Sequence, residues 1–163
     1  WDRPEEEVAE MSQELGIRTG EIGWGYEQFA AQLAQSFAQA EFITFDYGTL
    51  RPRQDLSLRI YHEHDVLSPF ETDLSLFYQT SDITYDVNFS HLIGAFGQAG
   101  FEQRMFASQM TALQELGLFQ LMEVMHERLT HSEYIQETGK VKTLFHPSFL
   151  GQRFKVLDMT LGI

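Results

Sequence analysis

Between residues 26 and 45 the chain changes its hydrophobic period abruptly, and that change limits the folds open to it. Tyr26, Phe29, Leu33 and Phe37 recur every three or four residues among Gln and Ala, the spacing of a helix packed on one face. Phe42-Ile43-Thr44-Phe45 then forms a short apolar and β-branched run closed by Asp46-Tyr47-Gly48. That run predicts a strand buried on both faces and ending in a turn. The same switch recurs downstream. Asn88 is placed to cap a helix whose buried side is Phe89, Leu92, Ile93 and Phe96, and Gly97 and Gly100 release the chain into a strand over residues 101–107. Leu113, Leu116, Leu121, Met122, Met125 and Leu129 mark the inner face of a helical region divided in two at Gly117, and Phe154-Lys155-Val156-Leu157-Asp158-Met159 reads as a last strand.

The stretches before and between these elements are less regular. Pro4 followed by Glu5, Glu6 and Glu7 suits the first turn of a short helix ending near Gly16, because the missing proline donor is an orphan there in any case. From Gly48 to about residue 80, with Pro52 and Pro69, one strand is expected over residues 58–61 and loop elsewhere, and residues 82–87 alternate weakly. No internal repeat or linker interrupts residues 1–163, so one domain is expected. Helices alternating with strands predict an α/β layer architecture. Three firm strands are fewer than a doubly wound sheet needs, which leaves a small sheet or strands supplied upstream of Trp1. Trp1 in place of a methionine, followed at once by charged residues, predicts a piece of a longer protein.

Charge narrows the partners. Twenty-four acidic against eleven basic residues give a net charge of −13, which repels phosphate backbones and anionic lipid, so neither nucleic acid nor a membrane is expected as a partner. No cysteine is present, which removes disulfides, thiolate metal sites and a cysteine nucleophile. No apolar run approaches a bilayer-spanning length. Gly20, Gly23 and Gly25 lie close together but follow no strand, so a turn before a helix is the better reading than a cofactor loop. Tyr61-His62-Glu63-His64-Asp65 would set two imidazoles on one face of a strand. Lacking a third ligand at a recognisable spacing, it reads as a solvated edge and no metal is expected. His126 and His131, near Glu123 and Glu127, read as a charged outer face.

Five segments in order resemble the C-terminal part of the MidA-type S-adenosylmethionine-dependent methyltransferases. They are Phe45-Asp46-Tyr47-Gly48; Leu58-Arg59-Ile60-Tyr61 with His64 beyond; Asp82-Ile83-Thr84-Tyr85-Asp86-Val87-Asn88-Phe89-Ser90; the helix from Gln109 to Leu118; and Leu150-Gly151-Gln152-Arg153-Phe154-Lys155-Val156-Leu157. Asn88 stands where the family commonly has aspartate. The resemblance implies the last strands of a Rossmann-like class I methyltransferase sheet with helices packed on it, the glycine-rich cofactor motif and ribose-binding acid lying outside these residues. It implies methylation of a protein arginine, in mitochondria during respiratory complex I assembly, and hence a mitochondrial matrix or, in bacteria, a cytoplasmic location. S-adenosylmethionine is the cofactor implied for the complete enzyme, with poor binding expected of this chain by itself. A homodimer is compatible with such a chain.

In sheets of this kind ligands sit beyond the carboxyl ends of the strands. Asp46, Tyr47, Gly48, Arg59, Tyr61, His64, Asp82 and Asp86, all in matched segments, are therefore expected at the edge of a substrate or cofactor pocket. The implied reaction is in-line attack of a guanidinium nitrogen on the sulfonium methyl. Because arginine stays charged at ordinary pH, carboxylates must orient it. No catalytic base is assigned. A strand-ending turn explains Asp46-Tyr47-Gly48 equally well, and packing and solvation account for Arg59, Tyr61 and His64. A non-catalytic binding or assembly module, and a small metal-dependent enzyme using His62 and His64, remain open alternatives.

Overall fold

Helix gives way to strand close to where the period changes. The structure, a computed structural model, describes residues 5–163; the expected helix start at Pro4 lies outside the described residues. Helix α1 (Glu6–Glu14) is followed by α2 (Tyr26–Ser36), and strand β1 (Ala40–Thr49) comes next. Gly25, with φ of 99°, adopts the left-handed conformation that starts α2, a backbone state costly for any residue with a Cβ.

Two sheets follow among the described residues. The larger has the order β5-β1-β7-β6, made of β1, β5 (Val87–Asn88), β6 (Glu102–Ser108) and β7 (Phe154–Leu161). Strand β7 runs antiparallel to both neighbours, pairing Ala40 with Leu161 through Tyr47 with Phe154 on one side. The other edge of β1 meets β5 only at Gly48 and Thr49, in parallel, so residues 40–47 keep an unpaired edge among the described residues. The smaller sheet has the order β3-β2-β4, from β2 (Arg59–His62), β3 (Asp65–Leu67) and β4 (Asp82–Thr84).

One face of the large sheet carries the core. Helix α3 (Phe89–Gln98) is capped by Asn88, whose side-chain oxygen accepts the His91 N–H. It buries Phe89, Leu92 and Phe96 with Ala30 of α2 against Leu157 and Met159 of β7. Phe96 stacks at 4.4 Å from Phe42 and 4.9 Å from Phe101, and Phe89 lies 5.0 Å from Phe106. Each such fully buried ring contributes roughly 2–3 kcal/mol. The expected helices and firm strands are present, and the mixed α/β class with them.

Several expectations need correction. Asp46-Tyr47-Gly48 does not turn but continues β1, because Tyr47 is still paired with Phe154 and Gly48 with Val87. Strand β1 is not buried on both faces: Phe42, Thr44 and Asp46 face α2 and α3, while Ile43 and Phe45 are exposed. The stretch expected as loop also holds β3, which forms a hairpin with β2 through Glu63-His64. His64 thus sits in a turn and does not share a strand face with His62. The region after β6 forms three helices, not two: α4 (Gln109–Glu115), α5 (Leu118–Arg128) and α6 (His131–Phe145), the last started by a capping box of Thr130 and Glu133. Its expected inner face is largely unburied, with Leu116 and Leu121 exposed, since these helices lean on one another and on a π-helical turn (Pro147–Gly151) more than on the sheet.

Candidate active site

Three segments converge where β1 nears its carboxyl end. Strand alternation sends Phe42, Thr44 and Asp46 to the α2 side. The first turns of α2 hang Tyr26 and Phe29 over them, and β4 with the residues after it closes the third side with Ile83, Thr84, Tyr85 and Val87. Together with Tyr47 and Leu92 these residues enclose a cleft of about 370 Å³.

The cleft is lined by aromatic and aliphatic side chains with one carboxylate. Asp46 Oδ1 accepts the Tyr47 N–H at 2.8 Å, and no side-chain donor among the described residues bonds the carboxyl group. Burial pushes its pKa above the ordinary carboxylate value. The Tyr47 N–H opposes that rise, and the nearby Asp86 charge adds to it. The Tyr26 and Tyr85 hydroxyls meet at 3.3 Å across the cleft. Burial, the Tyr85 bond and the Asp46 charge all raise the Tyr26 phenol, which therefore stays protonated. Behind Tyr26, at 5.0 Å, lies the buried ring of His91, whose Nε2 is 2.7 Å from Glu27 Oε1 and whose Nδ1 is buried without a partner. Burial acts to raise Glu27, but its hydrogen bond to His91, a backbone hydrogen bond and the His91 charge together hold it below the ordinary value.

A second polar cluster braces the cleft from outside. Arg53 reaches both Asp55 and Asp86 at 2.6 Å. The Asp86 N–H donates to Ser57 Oγ at 2.9 Å, and Glu21 accepts from the Ser57 and Leu58 N–H groups at 2.6 Å each. This ties the approach to α2, the loop before β2 and the segment before β5 into one unit. Asp86 is engaged by Arg53 within that unit, although its charge is felt at Asp46.

The eight sequence-selected residues thus divide. Asp46 and Tyr47 line the cleft; Gly48 lies beneath it, where a Cβ would fall 2.1 Å from the Val87 carbonyl oxygen. Arg59, Tyr61 and Asp82 lie on the small sheet, with Arg59 opposite Thr84 and Tyr61 opposite Asp82, and His64 is in the hairpin turn. Tyr26, Phe29, Thr84, Tyr85, Glu27 and His91 were not singled out as site residues. Tyr26 and Phe29 carried only a core-packing signal in the helical period. A buried histidine bonded to a carboxylate from another helix leaves no mark in local spacing. Among the described residues no group of three or more His, Asp or Glu comes together as metal ligands would. His62 instead bonds Ser81 Oγ at 2.7 Å and packs against Phe77.

The sequence matches, over residues 2–107, the model of a family described as "Putative S-adenosyl-L-methionine-dependent methyltransferase". The chain belongs to this family. Two crystal structures from one superfamily of Burkholderia thailandensis, a native form and a member bound to S-adenosyl-homocysteine, share the fold with TM-scores of 0.78 and 22% identity. Each is covered to 45% and 44% of its own length while all of this chain is matched, so the chain spans less than half of these solved structures. No curated protein matches the sequence.

The family's description implies S-adenosylmethionine as its methyl donor. An adenosine and sulfonium site in an open α/β sheet needs a glycine-rich turn that lets the backbone reach the ligand. Gly20, Gly23 and Gly25 precede a helix without following a strand, and Gly48 is filled from behind by Val87. The carboxylate and rings of the cleft suit a cation, and among the described residues no glycine-rich turn follows a strand.

Proposed function

We propose that this chain forms the substrate-side wall of an S-adenosylmethionine-dependent protein methyltransferase, and that the cleft at Asp46 receives an arginine side chain. The observation that carries the reading is a half-buried carboxylate with no cationic partner among the described residues, set among Tyr26, Phe29, Phe42 and Tyr85. A guanidinium is planar, permanently charged and weakly hydrated, so it stacks on aromatic faces and pairs with carboxylates in one geometry. Asp46 would orient it while Tyr26 and Tyr85 hold the rim. The family match supports methyl transfer, and the net charge of −13 favours approach of a cationic segment. The glycine-rich turn and the ribose-binding acid would be contributed by polypeptide outside these 163 residues. The other reading is a non-catalytic binding module of the same family.

The test titrates the chain with Nα-acetyl-arginine amide, followed by NMR, with the citrulline analogue as the uncharged isostere. Saturable binding of the arginine compound, absent for citrulline and much weakened in Asp46→Asn, is the expected result. Equal binding of the two compounds would remove the guanidinium reading. In a polypeptide that also carries the glycine-rich turn, methyl label from S-adenosylmethionine should appear on arginine in acceptor protein; no label on any acceptor would favour the non-catalytic module.

A further inference from the structure

The exposed face of the small sheet carries apolar and aromatic side chains beside its charged ones. Cross-strand neighbours in antiparallel pairs point to the same face. The pairing of Tyr61 with Val66 on one side and Asp82 on the other therefore places these three in one row. Val66 is 58% exposed and Tyr61 40%, while Ile60, one residue away on the opposite face, is fully buried. The connection between β3 and β4, with its 3-10 turn (Leu74–Leu76), adds Leu76 and Tyr78, each 70% exposed. Apolar and aromatic groups turned out to this extent on a sheet face and its loop are the mark of an interaction surface.

Charge identifies the kind of occupant. No Lys or Arg occurs between Arg59 and Arg104, while Glu63, Asp65, Glu71, Asp73 and Asp82 all lie in the same arm. A partner must therefore bring both apolar side chains and cations. Nucleic acid and anionic lipid fail on the second condition or on repulsion. Strands β3 and β4 each have one neighbour among the described residues, so an extended segment can also pair with an open edge. Strand β4 then leads from Asp82 straight to Ile83, Thr84 and Tyr85, which wall the cleft.

We infer that this arm, residues 61–82, docks an extended protein segment rich in arginine and aliphatic residues, and that β4 delivers one residue of the docked segment to the cleft. The purpose of docking rests on the proposed methyl-acceptor reading; the docking itself needs no cofactor and is measured without one. The probe is a fluorescein-labelled decapeptide of alternating arginine and leucine, compared by anisotropy at physiological salt with one of alternating arginine and glycine. The arginine–leucine peptide should bind the full chain about tenfold more tightly, the effect of roughly one buried side chain. Leu76→Ser with Tyr78→Ser should erase that difference. Asp65→Asn with Glu71→Gln should weaken both peptides, and Glu123→Gln with Glu127→Gln on α5 should weaken neither. All of these side chains are exposed, and far-ultraviolet circular dichroism shows whether each variant keeps the fold. Equal loss from the α5 variant, or an unchanged preference in the Leu76 and Tyr78 variant, would overturn the inference and reduce the binding to general charge attraction. Neither result touches the guanidinium titration at Asp46, so the two readings fail separately.

Discussion

Asp46 illustrates a tension held in a single side chain. Burial makes its charged form unwelcome to the fold, so its folded pKa lies above the unfolded one. The resulting destabilisation is present in full above the folded pKa and fades as pH falls through it towards the ordinary carboxylate value. Asp46→Asn should therefore raise the thermal midpoint at neutral pH, and that gain should vanish in acid, as calorimetry across pH would show. The same change should weaken arginine binding about ten- to a hundredfold, the usual worth of a hydrogen bond to a charged group. In the unaltered chain, binding should decline with acid at a higher pH than an ordinary carboxylate would give. Asn88 is the opposite case, a residue serving the fold. Its oxygen caps α3 while its Nδ2 is buried without a partner. Asn88→Ala should cost about 1 kcal/mol in urea denaturation. Both residues could be selected from sequence, Asn88 by its place before an apolar helical repeat and Asp46 by its matched segment. Tyr26, Tyr85 and His91 could not, because their roles arise from contacts between segments far apart in the chain.

At the scale of elements, sequence was most informative where one period ran for two or more turns. Helices α2 and α3 and strands β6 and β7 lie where apolar spacing put them, within a few residues. It was least informative where pairing partners decide the outcome. Strand β3 has three residues and exists because β2 lies beside it, and residues 46–48 look like a turn until Phe154 and Val87 are placed alongside. Helices α4 to α6 misled differently, since a regular apolar face says that burial is favourable without saying that anything covers it. The β1–β5 junction is the tightest of these pairings. At Gly48 a Cβ would fall 2.1 Å from the Val87 oxygen, which is backbone and cannot swing away. Gly48→Ala should cost about 1–3 kcal/mol or more by overpacking. Because it pushes the segment carrying Thr84 and Tyr85 off β1, it should also weaken arginine binding, an effect that a stability measurement would not register.

For the molecule as a whole, the edge of β1 left unpaired among the described residues and the outward apolar side chains beside it set behaviour in solution. An edge with free N–H and C=O groups flanked by Ile43 and Phe45 is a template for another strand. The chain should self-associate with rising concentration in sedimentation velocity, and Ile43→Lys should shift it towards monomer without loss of the circular dichroism signal, since charged residues on such edges oppose pairing. On the same outer face lies Asp158, buried in β7 with an unpartnered oxygen and Arg104 4.0 Å away. Among the described residues no helix is long and apolar enough to cross a membrane.

The register that joins Ala40 to Leu161 also sets a timetable. A ribosome releases β1 and then β6, yet the strand that must lie between them is made after both. Until then β1 and β6 have no shared partner, and their apolar rows wait in the open while three further helices are synthesised. Nascent chains of this protein are thus most dependent on chaperones in the interval before residues 154–161 leave the exit tunnel.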